Sequence, residues 1–370
     1  MTGRAVRRLK LSHYRSYHGL DLELDGRPVA LFGANGAGKT NLLEAVSMLS
    51  PGRGMRRARG EELPRQPESI GWRMFASITG DNAEHSIMTG AEAGAGRMVE
   101  IDEKASSQIA LARICRVVWL VPVMDRLWVE GAAERRGFLD RVTMSLFPDH
   151  AKAALGYEKA MRERNRLLKD QVTDAGWYDA IERRMAEEGV RMTANRAACL
   201  EQLRKAQDAA DTAFPHADLS IEMDSDWVSE RDLALALADG RARDMAAGRT
   251  RAGPHRADLT AIYAAKGKEA RICSTGEQKA LLVSLILSNV RAIAAATSRP
   301  PIVLLDEVAA HLDRDRRAAL YDEICALEAQ AWMSGTGPEL FEGMEGRAMF
   351  CAVTDTDGAS ALRITDRVTA

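Results

Sequence analysis

Cysteine is scarce in this chain, and its few copies lie far apart. The 370 residues contain 5 cysteines, and no two of them form a C-x-x-C pair. Zinc sites and disulfide frameworks depend on closely spaced or paired cysteines. The spacing therefore predicts reduced thiols with neither a metal nor a disulfide role, as is usual in cytosolic proteins. The five residues are Cys115, Cys199, Cys273, Cys325 and Cys351.

The chain also lacks a long apolar run and an excess of charge of either sign. Its 51 basic and 53 acidic residues give a net charge of -2, so any contact with nucleic acid depends on local basic patches. Residues 1–10 are basic, but no apolar stretch follows them, which excludes a secretory signal. No apolar run approaches the roughly 18 residues of a membrane span. We expect a soluble, cytoplasmic protein with no membrane partner.

A glycine-rich octapeptide is the most informative segment that the chain does contain. It lies between the apolar run 29–32 and the helical pattern 41–49 and reads Gly33-Ala34-Asn35-Gly36-Ala37-Gly38-Lys39-Thr40. In the spacing G-x-x-x-x-G-K-[ST], glycines allow backbone N–H groups to surround phosphate oxygens, while Lys39 adds a positive charge and the Thr40 hydroxyl can ligate Mg²⁺. The start of the helix, with Asn41, adds partial positive charge at the same point. The pattern predicts a P-loop that binds a nucleoside triphosphate with magnesium.

Hydrophobic periodicity changes twice along the chain. Strand patterns occupy the first part, at 9–24, 29–32, 72–88, 98–109 and 116–123. From about residue 131 to about 214 helix-forming residues dominate, which predicts a helical insertion; strands return near Thr260, at 259–263 and 269–272. We therefore divide the chain into residues 1–128, a helical lobe at 129–249, and residues 250–370.

One helix of the insertion carries an apolar seam with spacings of four and seven residues. Both a coiled-coil arm and a helix packed in its own lobe fit this seam. Polar residues at the alternate positions 188, 195 and 202 favour the packed helix. The seam consists of Ile181, Met185, Met192, Cys199 and Leu203.

A second segment, 300–307, is an apolar strand that ends in two acids, Asp306 and Glu307. A strand that is apolar on both faces belongs in the middle of a parallel sheet, and ligands bind at the carboxyl ends of such strands. In this Walker B pattern Asp306 is predicted to hold Mg²⁺ and Glu307 to activate the attacking water as general base. The pattern is weak alone and strong beside Lys39 and Thr40.

A third segment, Ser274-Thr275-Gly276-Glu277-Gln278, resembles the "LSGGQ" signature of ATP-binding-cassette ATPases. Ser274 can cap the apolar helix at 280–290, and the exposed N–H groups of that helix can bind a γ-phosphate. A plain helix cap with Glu277 in a capping box fits the same residues. The position one helix before Walker B favours the signature.

Directly after Walker B, the segment 310–313 fits the D-loop of the same class, in which Asp313 reaches across a dimer interface. As a bare sequence it equally fits the N-cap of a helix at 314–324.

Walker A, signature, Walker B and D-loop in this order, with a helical insertion between the first two, resemble the ATPase heads of the SMC and RecF group. Further stretches narrow the resemblance to the RecF family. The stretches are Tyr14-Arg15-Ser16-Tyr17, Gly38-Lys39-Thr40-Asn41-Leu42-Leu43-Glu44-Ala45, Glu134-Arg135-Arg136-Gly137-Phe138-Leu139-Asp140, Gly253-Pro254-His255-Arg256-Ala257-Asp258-Leu259 and Asp315-Arg316-Arg317. The resemblance implies an α/β fold, an ABC-type P-loop ATPase head with a helical insertion lobe.

The resemblance further implies an ATP-dependent DNA-binding protein of recombinational repair and replication restart. Such proteins form an ATP-dependent homodimer in which Ser274, Gly276, Gln278 and Asp313 of one protomer complete the site made by Lys39, Thr40, Asp306 and Glu307 of the other. The family binds DNA at single-strand gaps and junctions and cooperates with RecO and RecR in RecA loading. Slow ATP hydrolysis then acts as a conformational switch.

The chain departs from transporter ATPases in two places. Its last histidine is His311, so Ser334-Gly335-Thr336 stands where transporters place a histidine after Walker B. Neither Gln66 nor Gln108 has the context of a Q-loop glutamine, and the segment 121–125 is assigned to that position. A transporter subunit remains an alternative function, disfavoured by these departures and by the long helical insertion. A nucleotide-gated scaffold with negligible hydrolysis is the third candidate.

DNA contacts are the least constrained part of the prediction. A basic loop after the P-loop helix fits both a solvated surface and a phosphate-binding surface. Its arginines are Arg53, Arg56, Arg57 and Arg59. For His255 and Arg256, a structural turn and a nucleotide-facing role are equally compatible with the sequence.

Overall fold

The computed structural model describes residues 3–79, 83–223 and 227–365, without the side chain of His311. It divides into two compact units: Met1–Asp125, Ala209–Pro215 and Thr275–Ala370 form the first, and Arg126–Asp208 and His216–Ser274 form the second. The chain leaves the first unit close to the predicted boundary at 128. After the short return at Ala209–Pro215, it re-enters the first unit at Thr275 rather than at the predicted boundary of 250, because the segment 258–269 pairs with a strand of the second unit.

The first unit contains two six-stranded sheets and four helices within the described residues. One sheet is antiparallel, in the order β2-β1-β4-β5-β6-β7, and the other is parallel except at its β15 edge, in the order β15-β14-β3-β13-β12-β8. The strands are β1 (Ala5–Tyr14), β2 (Tyr17–Glu23), β3 (Val29–Phe32), β4 (Gly71–Thr79), β5 (Glu84–Glu92), β6 (Met98–Ile101), β7 (Lys104–Ala105), β8 (Val117–Leu120), β12 (Ile302–Leu305), β13 (Ala331–Gly335), β14 (Met349–Thr356) and β15 (Ala359–Thr365). The helices are α1 (Lys39–Ser47), α2 (Gln108–Ile114), α8 (Thr275–Thr297) and α9 (Arg314–Ala326). The predicted α/β architecture is confirmed.

The parallel sheet brings the two nucleotide-binding patterns together. The P-loop strand β3 and the Walker B strand β12 both pair with β13, which lies between them. All four residues of β12 are buried, as expected for a strand covered on both faces. The carboxyl ends of β3, β13 and β12 therefore meet at one edge of the sheet, where α/β folds bind their ligands.

Helix α8 is the apolar helix predicted after the signature, and it is longer than expected. By length and composition alone it could cross a membrane, which corrects the expectation that no segment of the chain does so. However, 72% of its most apolar window is buried, and core helices pass the same test. Val283, Ile286 and Val290 line a small apolar cavity with β12 and α9, so α8 is a core helix of the first unit.

Two predicted strand segments are only partly strands. Residues 98–109 form the short strands β6 and β7, and Ile109 already belongs to α2. Within 269–272 only Glu269 is in a strand, and Ala270–Ile272 is a turn of 3-10 helix. Both errors come from short apolar runs, for which periodicity does not separate strand from helix.

The second unit is the predicted helical lobe with a small sheet added. Its seam residues Met185, Met192, Cys199 and Leu203 are buried, and Met185 and Met192 pack with Tyr157 and Leu233 in one core, as the packed-helix interpretation predicts. The helices are α3 (Ala132–Leu146), α4 (His150–Lys169), α5 (Ala175–Asp208), α6 (Glu230–Asp239) and α7 (Arg241–Ala247). The antiparallel sheet has the order β11-β10-β9 and consists of β9 (Ala217–Glu222), β10 (Asp258–Tyr263) and β11 (Lys268–Glu269).

The five cysteines are free, and four of them are buried. Burial raises the pKa of the Cys115, Cys199 and Cys351 thiols to about 12, so these thiols stay protonated at neutral pH.

Arg164 of α4 joins three other segments of the second unit from a fully buried position. Its guanidinium donates to Glu182 Oε1 at 2.9 Å, to Asp244 Oδ2 at 2.6 Å and to the Leu237 carbonyl at 2.7 Å. A cluster of buried charges is stable when every charged group has a partner of opposite sign. Removal of one member therefore leaves a buried charge that is not compensated.

We expect Arg164→Leu to lower the free energy of unfolding by about 3–5 kcal/mol, because Asp244 then loses the cation it is buried with and Glu182 keeps only Arg241. Urea unfolding measures this. Arg204→Leu is the matched control: Arg204 is exposed and pairs with Glu201 and Asp208 of its own helix, so its loss should leave the midpoint nearly unchanged. Equal midpoints for the two variants would contradict the assignment.

Candidate nucleotide-binding site

The P-loop needs glycine at two positions for backbone reasons. Gly33 has φ 151°, and a Cβ there would lie 2.1 Å from the Val353 carbonyl oxygen. Gly38 has φ 106° and a Cβ would lie 2.2 Å from Ser360 Oγ. Both contacts are shorter than any side chain allows, so the loop keeps its path only with glycine. Between them, residues 34–36 are exposed and available to a ligand.

Lys39 is the first residue of α1 and is turned back onto the loop. Its Nζ donates to the carbonyl oxygens of Gly33 at 2.7 Å and Ala34 at 2.8 Å, and the residue is only 4% exposed. Burial lowers the pKa of the Lys39 ammonium, and the nearby charges of Glu307 and Asp306 oppose that shift. The cation therefore lies between the loop and the two Walker B acids.

Thr40 and Asp306 meet directly, as the paired motifs predicted. The Thr40 hydroxyl donates to Asp306 Oδ1 at 3.1 Å, and Asp306 is 6% exposed. A hydroxyl and a carboxylate side by side are oxygen donors of the kind that Mg²⁺ takes together with nucleotide phosphates. The donor set of the structure therefore fits the predicted magnesium site.

Ser334, at the end of β13, connects the two Walker B acids. Its hydroxyl donates to Asp306 Oδ1 at 2.7 Å and accepts the backbone N–H of Glu307 at 2.9 Å. Glu307 has φ 54°, a left-handed conformation that is rare for a residue other than glycine and that concentrates at functional sites. The sequence pointed to the segment 334–336 only as the place of a missing histidine, so the role of Ser334 emerges from the sheet pairing.

We expect Ser334→Ala to raise the Mg²⁺ concentration needed for half-maximal ATP hydrolysis by about 10-fold. Loss of a hydrogen-bond partner behind a metal ligand costs about 10–100-fold in affinity or activity. A magnesium titration of hydrolysis measures this. Ser288→Ala is the control, because that buried hydroxyl donates only to the Ser284 carbonyl of its own helix. Identical titrations for both variants would show that Ser334 does not orient Asp306.

The N-terminal stretch 14–17, which carried part of the family resemblance, braces the P-loop. The Tyr17 hydroxyl donates to the Gly38 carbonyl at 3.2 Å. Ser360 Oγ lies 2.7 Å from the Ala37 carbonyl and 2.6 Å from Ser16 Oγ. Tyr17 and Ser360 therefore hold the two loop carbonyls of Gly38 and Ala37, and Ser16 supports Ser360.

Asn41 was predicted to bind the nucleotide, and the structure uses its side chain elsewhere. Asn41 Nδ2 donates to Ser16 Oγ at 2.7 Å, and Asn41 Oδ1 accepts from Arg56 at 3.0 Å. Each of these two bonds leaves the carboxamide a second N–H and a second oxygen lone pair, so nucleotide binding by Asn41 stays a prediction.

The signature residues divide into exposed and buried members. Ser274, Thr275 and Gly276 are exposed, and a Cβ at Gly276 would meet no atom within 4 Å. Gln278, by contrast, is 4% exposed in the first turn of α8, so its side chain is not at the surface. Helix α8 begins at Thr275, directly after Ser274, which agrees with the prediction that Ser274 lies at the helix N-terminus. Ser274–Gly276 therefore forms the exposed edge of the signature.

Asp313 caps helix α9, as one of its two interpretations predicted. Its Oδ1 accepts the backbone N–H of Arg316 at 2.8 Å, and the residue is exposed. Because one carboxylate oxygen makes the cap, the predicted D-loop contact across a dimer stays a prediction for the other oxygen.

Asp125 and His255, two further positions singled out in the sequence, make hydrogen bonds with side chains or carbonyl groups of the protein. Asp125 Oδ2, at the end of the segment assigned to the Q-loop, accepts from Lys279 Nζ in α8 at 2.9 Å. Both ring nitrogens of His255 are engaged, Nδ1 with the Tyr157 hydroxyl at 2.7 Å and Nε2 with the Thr250 carbonyl at 3.2 Å. For His255 these contacts favour the structural turn over the nucleotide-facing role.

Comparison with known proteins gives one consistent result. The RecF/RecN/SMC N terminal domain model matches residues 5–359. The DNA replication and repair protein RecF of Rhizobium meliloti is 45% identical over 362 residues, covering 94% of this chain and 96% of the relative. RecF of Brucella abortus is 44% identical over 364 residues, covering 95% and 94%.

Solved structures agree on the fold. The recombination mediator protein RecF with ATPrS, of the RecFOR pathway, superposes with a TM-score of 0.83 at 22% identity, covering 97% of this chain and 98% of that one. The Smc head domain of Pyrococcus furiosus, bound to the C-terminal domain of ScpA, has a TM-score of 0.57 at 16% identity, covering 98% and 96%. Both support the ATPase-head fold assigned above.

Proposed function

The chain belongs to the RecF family of DNA replication and repair proteins, and from that premise we propose that it is an ATP-dependent DNA-binding protein of recombinational repair and replication restart. The observation that carries the proposal is the 3.1 Å contact between Thr40 and Asp306, because it joins Walker A to Walker B in one pocket. The family makes the transporter alternative untenable. Its members act on DNA rather than in membranes, and we place the protein in the cytoplasm.

In the proposed mechanism the backbone N–H groups of residues 34–38 bind the phosphates, and Lys39 exchanges its two carbonyl partners for phosphate oxygens. Thr40 and Asp306 would hold Mg²⁺, which would supply positive charge against the phosphates. Glu307 accepts the proton of the attacking water. Because Glu307 is present beside Asp306, we propose slow hydrolysis rather than a scaffold without turnover.

We further propose that ATP drives head-to-head dimerisation. Ser274 and Gly276 are exposed, and a Cβ at Gly276 would meet no atom within 4 Å, which supports their use in the pocket of a second copy. ATP binds across the two copies and shifts the population towards the dimer, and hydrolysis returns it to monomers.

DNA is the proposed substrate of this switch, at single-strand gaps and junctions, with RecO and RecR as partners. The RecFOR pathway named for the solved RecF structure supports these partners. On this chain, Arg53, Arg56, Arg57 and Arg59 are all exposed in the loop after α1. Arg56 also contacts Asn41 at the P-loop, so the basic loop adjoins the nucleotide site.

Binding of gapped duplex at increasing salt, with and without ATP, tests the proposal. We expect ATP to tighten binding, and Arg53→Gln with Arg57→Gln to reduce the slope of log K against log salt by about 0.9 per lost phosphate contact. Arg162→Gln with Arg166→Gln is the control, because these exposed arginines of α4 pair with Glu158 and Asp170. DNA binding that does not depend on ATP would contradict the clamp mechanism. Equal salt slopes for the Arg53/Arg57 variant and its parent would show that the DNA surface lies elsewhere.

A further inference from the structure

Two stretches that identified the family bind each other in the second unit. Arg135, from Glu134-Arg135-Arg136-Gly137-Phe138-Leu139-Asp140, makes a bidentate pair with Asp258 at the start of β10, with Nε–Oδ1 2.7 Å and Nη2–Oδ2 2.8 Å. Arg136 donates to the Ala257 carbonyl at 2.9 Å. Helix α3 therefore holds the segment Gly253-Pro254-His255-Arg256-Ala257-Asp258-Leu259 by side chains of two adjacent arginines.

A third contact reinforces the same junction. Asp140 makes a bidentate pair with the buried Arg196 of α5, at 2.7 Å and 2.9 Å. Arg196 in turn donates to the Pro254 carbonyl at 2.8 Å. The path of residues 254–258 is thus fixed from both α3 and α5.

Arg135 also reaches in the opposite direction along the chain. Its Nη1 donates to the Glu130 carbonyl at 2.5 Å and lies 3.5 Å from the Leu127 carbonyl. One guanidinium therefore ties the segment 127–130, directly after the position assigned to the Q-loop, to the first residue of β10. A planar fork with five donors makes such a junction, whereas lysine does not.

Strand β10 leads to the signature. It pairs with β11, and the chain then passes through the buried Ala270 and Cys273, with Cys273 N donating to the Ala270 carbonyl at 3.2 Å. The next residues, Ser274–Gly276, are exposed. The signature edge thus follows a small sheet in which Asp258, the first residue of β10, is bound by Arg135.

We propose that Arg135 is a positioning residue for the dimer: through Asp258, β10 and β11 it holds the signature edge where a second copy can use it. The inference rests on the proposed ATP-driven dimer. A misplacement of about 1 Å in such a site costs on the order of 100-fold. Loss of Arg135 is therefore expected to weaken dimerisation while nucleotide binding by the single chain is kept, because the Walker residues all belong to the first unit.

The experiment compares variants in a Glu307→Gln background, in which ATP turnover is slowed. Binding of a fluorescent ATP analogue reports the Walker site, and sedimentation at saturating Mg-ATP reports the dimer. Arg135→Gln is expected to weaken dimerisation at least 10-fold without changing nucleotide binding. Asp258→Asn should give a similar loss. The double variant should lose no more than the larger single loss, because both substitutions remove the same Arg135–Asp258 ion pair. Arg204→Gln, whose arginine bonds only within α5, should match the background.

Hydrogen exchange without nucleotide separates positioning from general destabilisation. Faster exchange confined to residues 127–130 and 258–276 in Arg135→Gln supports the proposal. Unchanged dimerisation, additive losses, or faster exchange over the whole second unit overturns it. Should Arg135→Gln fail to bind nucleotide, Asp258→Asn, which leaves the carbonyl contacts of Arg135 intact, decides the question by the same readouts. A Glu307→Gln background that stays monomeric with ATP instead rejects the dimer of the proposed function and this inference with it.

Discussion

Lys39→Ala is expected to weaken ATP binding at least 100-fold, about 2.7 kcal/mol. The lysine holds its only cationic group against the loop, 2.7 Å and 2.8 Å from two carbonyl oxygens, where incoming phosphate oxygens replace those partners. Charge-assisted hydrogen bonds to phosphate are the strongest that a side chain offers, and this one is 4% exposed and poorly screened by water. Equilibrium binding of Mg-ATP, by calorimetry or a fluorescent analogue, measures the loss.

Lys10→Ala is the control for removing a lysine of the first unit. Lys10 lies on β1 and pairs with Asp21 at 3.0 Å, away from the loop. Its loss should leave ATP affinity unchanged. ATP-dependent dimerisation should disappear in Lys39→Ala and persist in Lys10→Ala. An ATP affinity of Lys39→Ala within threefold of the parent would mean that Lys39 stabilises the loop through its two carbonyl contacts and contributes little to ATP binding.

The Walker residues were predictable because their geometry is encoded locally. Glycines at 33 and 38 permit the loop, the next residue begins a helix, and an apolar strand ending in two acids has few places in an α/β fold. The helical seam of α5 was predictable for a similar reason, since it depends on spacing within one element. These features can be predicted from the sequence without knowing which residues lie next to them in space.

Ser334 was not predictable as an orienting residue because its partners are remote in sequence. It lies 28 residues after Asp306 in the chain. The two side chains meet because β13, which carries Ser334, lies between β3 and β12, and Asp306 directly follows β12. Ser360 lies 344 residues from Ser16, and their contact depends on the β14–β15 hairpin reaching the parallel sheet. Single hydroxyl groups carry no pattern that distinguishes such roles from solvated ones.

Gln278 and Asn41 show a different limit, because a motif position predicts a ligand contact without predicting the direction of its side chain. The signature pattern ends in a glutamine, and the side chain of Gln278 is buried although Thr275 and Gly276 in the same turn of α8 are exposed. Asn41 follows the P-loop lysine and threonine, yet its carboxamide is used by Ser16 and Arg56. A motif specifies the backbone path more reliably than the direction of each side chain.

Glu307→Gln is expected to slow ATP hydrolysis by about 100-fold or more while ATP affinity is kept. The amide has the shape of the carboxylate but does not accept a proton, and loss of a general base costs about 10²–10⁴-fold. Asp306, Thr40 and Ser334 retain their contacts, because Ser334 bonds the backbone N–H of Glu307 rather than its side chain. Phosphate release under saturating Mg-ATP measures the effect.

The same substitution should accumulate an ATP-bound dimer, because binding still favours association while the step that ends it is blocked. Glu328→Gln is the matched control: Glu328 is an exposed glutamate of the first unit with φ 52°, so it shares the left-handed backbone of Glu307 without the Walker B position. It should hydrolyse ATP and sediment as the parent does. A Glu307→Gln protein that binds ATP yet stays monomeric at saturating Mg-ATP would place Ser274 and Gly276 outside any shared pocket, and the switch would then have to operate within one chain.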